Sequence, residues 1–323
     1  MSVDEHESTL QAEFASLRSA AAVHLLARDV VVASGPDAVT YLQGQCSQDV
    51  AALRIGQSAD TLLLSPQGKV EAYLRSTRLG DQEFVLDTDD GFGEVVIARL
   101  ERFRLRMKVE FEPVRWVCAA VRGPGAAGAV VGRPELTVPV EWPGLNGVDL
   151  LGPAPSGGLG QWVGDVARCG DAAWEAARIE AGVPVNGREV VEGSIAAELG
   201  LVDRTVSFTK GCFTGQELVA RLDARGSNVA RRLCGVVVDG PFEEGSVPFG
   251  ASVPVGATVT TADGSHHVGG LTSVAWSPGL GATVALATLH RRVTPPEGVV
   301  VTWDDDKGSQ SRPAVARPLP LEV

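Results

Sequence analysis

Short apolar runs broken by glycine, proline and Asp-Gly turns dominate this chain, and few stretches keep the spacing of an amphipathic helix. Residues 10–26 carry helical spacing. Val30-Val31-Val32 then reads as a buried strand ended by Gly35-Pro36, and Asp37 is placed to cap a helix through Val39 and Leu42 toward Gln45. Thr61-Leu62-Leu63-Leu64, the turn Ser65-Pro66-Gln67-Gly68 and residues 70–77 predict a hairpin. A strand at 83–86 follows, then a helix over 93–103 with Val95, Val96 and Leu100 on one face. The strand at 116–121 meets a second Gly-Pro, Gly123-Pro124, and an alanine-rich stretch of helical character. Strand, Gly-Pro and helix thus occur twice, a hint of internal duplication.

Residues 132–160 read as loops around short strands, and Asp171 caps a helix that stops at Gly182. From about Leu233 the character changes. VVV, ASVPV, ATVTT, HHVGGLTSVAW, ATVALATL and VVVTW are β segments at a spacing that predicts a compact antiparallel unit. The tail after Trp303 is polar, then proline-rich, and is expected to be loosely held. The division expected is residues 1–230 and residues 231–323.

Composition narrows the function classes. The chain has 323 residues, 44% hydrophobic and 21% charged, with 38 glycines and 19 prolines. That suits a soluble, turn-rich protein with a buried core. Its 28 basic and 40 acidic residues leave a net charge of −12, the wrong sign for a duplex-DNA binder. The acidic opening MSVDEHESTL lacks the order of a signal peptide, and no run approaches a membrane span, so a cytoplasmic protein is expected. Five scattered cysteines without a C-x-x-C pair give no support to a zinc ribbon or a four-thiolate iron–sulfur site. Adjacent His266 and His267 face oppositely on a strand, which argues against a shared metal there.

The densest chemistry lies in Lys210-Gly211-Cys212-Phe213-Thr214-Gly215-Gln216-Glu217, followed by Arg221. Thr214 and Glu217 fit a capping box, so a helix is expected from Thr214. Cys212 then sits outside a helix N-terminus and near Lys210, two influences that favour a thiolate. The same pattern also fits a small packing residue in a glycine-rich turn. Arg221, Arg225, Arg231 and Arg232 form the one basic cluster, suited to a ligand's carboxylate tail, an RNA phosphate, or plain solvation.

The signature resembles that of the folate-binding YgfZ family, whose usual form has tyrosine where Phe213 stands. That family is related to the aminomethyltransferase of the glycine cleavage system. Residues 37–49, with Tyr41-Leu42-Gln43-Gly44-Gln45, are similar to the family's N-terminal block. Gly68-Lys69 resembles its second block, and Arg178-Ile179-Glu180-Ala181-Gly182 a segment shared with the aminomethyltransferases. The resemblance implies an α+β fold of two intertwined lobes around a central folate site, plus a C-terminal antiparallel β-barrel. It implies tetrahydrofolate or a derivative as cofactor, with Glu180 on the pterin and Trp174 in folate contact. Arg178, Gln216, Glu217 and Arg221 are the further binding candidates, and Cys212 with Lys210 the candidate reactive centre. The family's other pocket tryptophan has no counterpart; Arg28 falls near its place.

One departure bears on the reaction. The aminomethyltransferases carry two aspartates after the glycine hairpin, where Ala72 and Tyr73 stand here. Glu71 points to the other face unless a one-residue bulge intervenes, which is not expected. With no acid at hand, general acid–base work on folate is disfavoured. The resemblance therefore implies a folate-binding accessory protein supporting iron–sulfur enzymes, with iron–sulfur client or assembly proteins as partners and a link to tRNA modification. A folate-dependent one-carbon transferase and an interaction scaffold remain the alternatives.

Overall fold

The computed structural model describes residues 3–226, 228–238, 253–306 and 308–321. Helix α1 (Val3–Ser19) leads into β1 (Ala22–Leu26) and β2 (Arg28–Ser34). A helix through residue 26 is not what forms, because Ala22 to Leu26 pair along their whole length with a strand formed much later in the chain. Partner strands outweigh local spacing here.

A first sheet follows, from β2, β3 (Ser58–Leu64), β4 (Val70–Gly80), β5 (Glu83–Asp89) and β6 (Glu110–Val114). Its order is β3-β4-β5-β2-β6, antiparallel throughout. Helices α2 (Ala38–Gln45) and α3 (Gly93–Phe103) cover one face, over a core that includes Leu42, Leu63, Leu74, Leu86, Val96 and Leu100. Val95 instead turns to solvent, 40% exposed. Asp37 does not cap α2 through its side chain; that carboxylate accepts the backbone N–H of Lys108.

The second sheet runs β10-β1-β7-β9-β8, from β7 (Val117–Arg122), β8 (Leu136–Trp142), β9 (Leu145–Gly152) and β10 (Ala167–Arg168). Only the β1–β10 pairing is parallel. Consecutive strands β1 and β2 therefore go to different sheets, and this intertwines the two lobes. The stretch after Gly123-Pro124 makes one 3-10 turn, Ala127–Ala129, rather than a helix. Residues 132–160 hold the full β8–β9 hairpin rather than mostly loop. The two sheets meet through Val30 and Val85 of one and Cys118, Leu136, Val138 and Leu151 of the other.

Helices α4 (Asp171–Ala181), α5 (Val202–Thr205) and α6 (Gln216–Asp223) come next. Gly170 occupies the N-cap of α4, and Gly182 ends it in the left-handed region at φ 71°. The remaining strands are β11 (Arg231–Val238), β12 (Thr258–Thr261), β13 (His267–Ser277), β14 (Ala282–His290), β15 (Glu297–Asp305) and β16 (Gly308–Arg317). They close a barrel in the order β11-β14-β13-β12-β15-β16. The segment ASVPV lies partly outside the described residues. The tail expected to be loose is the closing strand: β16 pairs with β15 and β11, burying Ala314 and Ala316 inside. Among the described residues no helix is long and apolar enough to cross a membrane.

Candidate functional site

Between the sheets lies a cavity of about 760 Å³. Its walls come from the starts of β2 and β3, the middle of β4, the β8–β9 hairpin, α4 and the segment after it, and Arg204 of α5. The size falls within the range of small-molecule sites.

Its apolar wall is aromatic. Trp174 of α4 stacks on His24, with ring centroids 4.6 Å apart and planes 16° from parallel. Trp142 meets Trp174 at 4.8 Å in a tilted arrangement. The Arg122 guanidinium lies over both tryptophan rings, at 4.7 and 5.1 Å, a cation–π contact. His24 accordingly covers one face of Trp174, which lines the cavity with what remains.

Its polar wall is a chain of ion pairs crossing from sheet to sheet. Arg28 donates to Asp87 and Asp89, Arg75 donates to Asp87 and, at 2.8 Å, to Asp149 of the other sheet, and Arg122 also donates to Asp149 at 2.8 Å. Burial alone would raise the Asp149 carboxyl, but Arg122 and Arg75 overcome it and hold the group at about 2. Mid-strand charges in otherwise apolar runs, Arg75 in VEAYLRST and Asp87 in EFVLDTD, were the sequence signal for this wall, because a charge in a buried strand requires a partner.

Tyr73, at one hairpin position where the aminomethyltransferases carry an aspartate, lines the cavity and donates its hydroxyl to Asp60 Oδ2 at 3.0 Å. Arg204 donates to the same oxygen. Burial first, then the Asp60 charge, pushes the Tyr73 phenol well up, so it remains a neutral donor. Ala72 faces the opposite way into the core. A bulge does occur, with Leu63 opposite Ala72 and Leu64 opposite Val70, leaving Glu71 as the extra residue. The expectation of no bulge is corrected, yet Glu71 gains no access to the cavity: it pairs with Arg99 and Arg102 of α3.

Two of the binding candidates line the cavity, Trp174 and Arg178, and so does Arg28. Trp174 and Arg178 stand four apart on α4 and share a face. Glu180 is two residues on, about 200° round the helix, and is not among the lining residues. It is 1% exposed, with one oxygen on Arg18 and the other accepting from Ser277 of the barrel. Burial raises its pKa despite those partners. Arg178 itself is held by Glu175, Glu189 and Ser273.

The signature residues assemble elsewhere, at the tip of the β3–β4 hairpin. Lys210 Nζ donates to the carbonyls of Gln43, Cys46 and Gln48 at 2.6, 2.7 and 2.8 Å. All three ammonium donors are thus spent on the N-terminal block, and burial lowers the Lys210 pKa. The role expected for Lys210, a charge serving Cys212, gives way to that of a clamp. The capping box does not form either: α6 starts at Gln216 after Gly215, and the Gln216 side chain accepts the Phe213 N–H. Gly215 meets the hairpin so closely that a Cβ on it would fall 2.4 Å from the Ser65 carbonyl oxygen. Three blocks far apart in sequence, 41–49, 65–69 and 210–218, therefore converge. Cys212 is exposed, Glu217 and Arg221 likewise, and none of the three lines the cavity.

Residues 4–132 match the GCVT N-terminal domain family. An uncharacterized protein of Haemophilus influenzae is 29% identical, over 64% of this chain and 70% of its own. The tRNA-modifying protein YgfZ of Pectobacterium atrosepticum is 30% identical over 60% of this chain, and the match spans only 63% of that relative. The aminomethyltransferase of Corynebacterium jeikeium is 24% identical over 79% of this chain and 74% of its own. Among solved structures, the glycine cleavage system aminomethyltransferase T of Bartonella henselae superposes with a TM-score of 0.79 at 21% identity, covering 97% of this chain and 89% of that one. That likeness shows the fold. Residues 4–132 are thus similar to the GCVT N-terminal domain family, and the chain is similar to YgfZ proteins and to aminomethyltransferases.

Proposed function

We propose that this chain is a reduced-folate-binding accessory protein that supports iron–sulfur enzymes, with tetrahydrofolate or a derivative held between the two sheets. The observation that carries the reading is the cavity: about 760 Å³ at the lobe junction, with two tryptophans on one wall and fixed charges on the other, in an aminomethyltransferase-like fold. A flat, polar-edged ligand with an anionic tail suits such walls. Arg28, the least buried of the cavity arginines after Arg204, suits the tail carboxylates. A reduced folate supplies a nucleophilic N5 that carries one-carbon units. Cys212 lies outside the cavity lining, so the folate and the thiol are assigned to separate surfaces, the thiol to a protein or cluster partner. The relatives named tRNA-modifying protein YgfZ fit a role upstream of tRNA modification.

Titration with tetrahydrofolate and its 5-formyl form, followed by tryptophan fluorescence, tests the folate reading. Saturable quenching is expected; its absence overturns it. In cells lacking the protein, iron–sulfur enzyme activity should return with the wild type and fail to return with Cys212→Ser; full rescue by that variant removes the thiol from the reading. One observation favours a second reading, a one-carbon transferase: Asp60 brings a carboxylate to the cavity wall beside Tyr73. Steady folate-dependent ammonia release from an aminomethyl-loaded carrier protein would establish it.

A further inference from the structure

We propose that Asp60, carried on β3, is the carboxylate that orients the ligand, accepting an N–H of an amino-substituted heterocycle on its free Oδ1. The assignment rests on the folate reading and makes it specific. Four acids line the cavity: Asp60, Asp89, Glu141 and Asp149. Asp149 gives one oxygen to Arg122 and the other to Arg75. Asp89 gives one to Arg28 and the other to the backbone and side-chain amide of Asn186. Neither has an oxygen to spare. Glu141 is exposed at the rim, with no hydrogen-bond partner among the described residues to hold it in place.

Asp60 differs from all three. Tyr73 and Arg204 both donate to Oδ2, which anchors the group, while Oδ1 has no partner among the described residues. Its side chain is 21% exposed, enough to meet a ligand without standing in bulk water. An anchored carboxylate with one open oxygen is the acceptor that an amino-heterocycle edge requires. Glu180, with both oxygens engaged by Arg18 and Ser277, does not offer this.

The test compares 5-formyltetrahydrofolate affinity of the full chain and of Asp60→Asn, with circular dichroism to verify folding. Asp60→Asn should weaken binding about tenfold or more, and Tyr73→Phe, which loosens the anchor only, should weaken it less. Should Asp60→Asn fail to fold, Asp60→Glu keeps the charge beside Arg204 but displaces the open oxygen, and the same loss is expected. Wild-type binding that either folded variant leaves unchanged overturns the role of Asp60 and leaves the folate reading standing. A wild type that binds no folate at all overturns both.

Discussion

At the residue scale, burial decides which groups are chemically available. Cys46, Cys169 and Cys234 are buried, and burial pushes their thiols up to about 11, 12 and 11; Cys118 is pushed higher still. Cys212 is the one exposed cysteine of the five. Limited iodoacetamide at neutral pH should modify Cys212 first, read by peptide mass mapping; earlier labelling of Cys46 or Cys234 would sink that ordering. Asp149 sets a pH dependence. Its carboxyl titrates near 2 when folded and near 3.9 when unfolded. The stabilisation it contributes is therefore complete above the unfolded value and is lost as pH falls from about 4 toward 2. Urea melts of wild type and Asp149→Asn should converge by about 2 kcal/mol across that window. A constant difference would show that Asp149 is not the group responsible.

At the element scale, the signature loop is held by backbone proximity rather than by its reactive side chain. Gly215 adopts φ 80°, and a Cβ there would strike the Ser65 oxygen and the Leu64 side chain. Gly215→Ala should cost about 2–3 kcal/mol, at the upper end of ordinary substitutions, and should leave the 210–215 segment open to limited proteolysis before global unfolding. Wild-type protease resistance in that variant would mean the loop docks by other contacts. The same region shows what local patterning could and could not supply. The hairpin of β3 and β4 was legible from its alternation and its turn residues. The Glu71 bulge was not, because a bulge answers to the partner strand and to Arg99 and Arg102, which are distant in sequence.

At the scale of the whole molecule, one apolar core joins the helices to the barrel. Leu10, Phe14 and Leu17 of α1, Trp174 and Ile179 of α4, and Val237, Val284 and Leu286 of the barrel belong to a single cluster. Around it, Arg178 links Glu189 and barrel Ser273, while Glu180 links Arg18 and barrel Ser277. A scanning-calorimetry trace with one cooperative transition is expected, and resolved transitions would show that the barrel melts independently. Arg178→Ala leaves Glu189 buried without its charge partner and should cost about 3–5 kcal/mol, measured by denaturant titration; a loss below about 1 kcal/mol would show solvent reaching that junction.

Most of the strands, the helix ended by Gly182 and the antiparallel barrel could be read from the chain, because alternation, glycine and proline act over a few residues. The signature and its companion blocks identified the relatives for the same reason: their residues are contiguous. What only the tertiary structure decided is non-local. Residues 22–26 became a strand because β7 and β10 lie beside them. The proline-rich end became β16 because the barrel needed a sixth strand to close. Glu180 turned from the cavity because helical rotation carries it round to Arg18 and Ser277, and Lys210 became a clamp because three distant carbonyls converge on its ammonium group. The cavity itself has no sequence signature, since β2, β3, β4, β8, α4 and α5 each contribute only part of its lining and only packing brings those parts within reach.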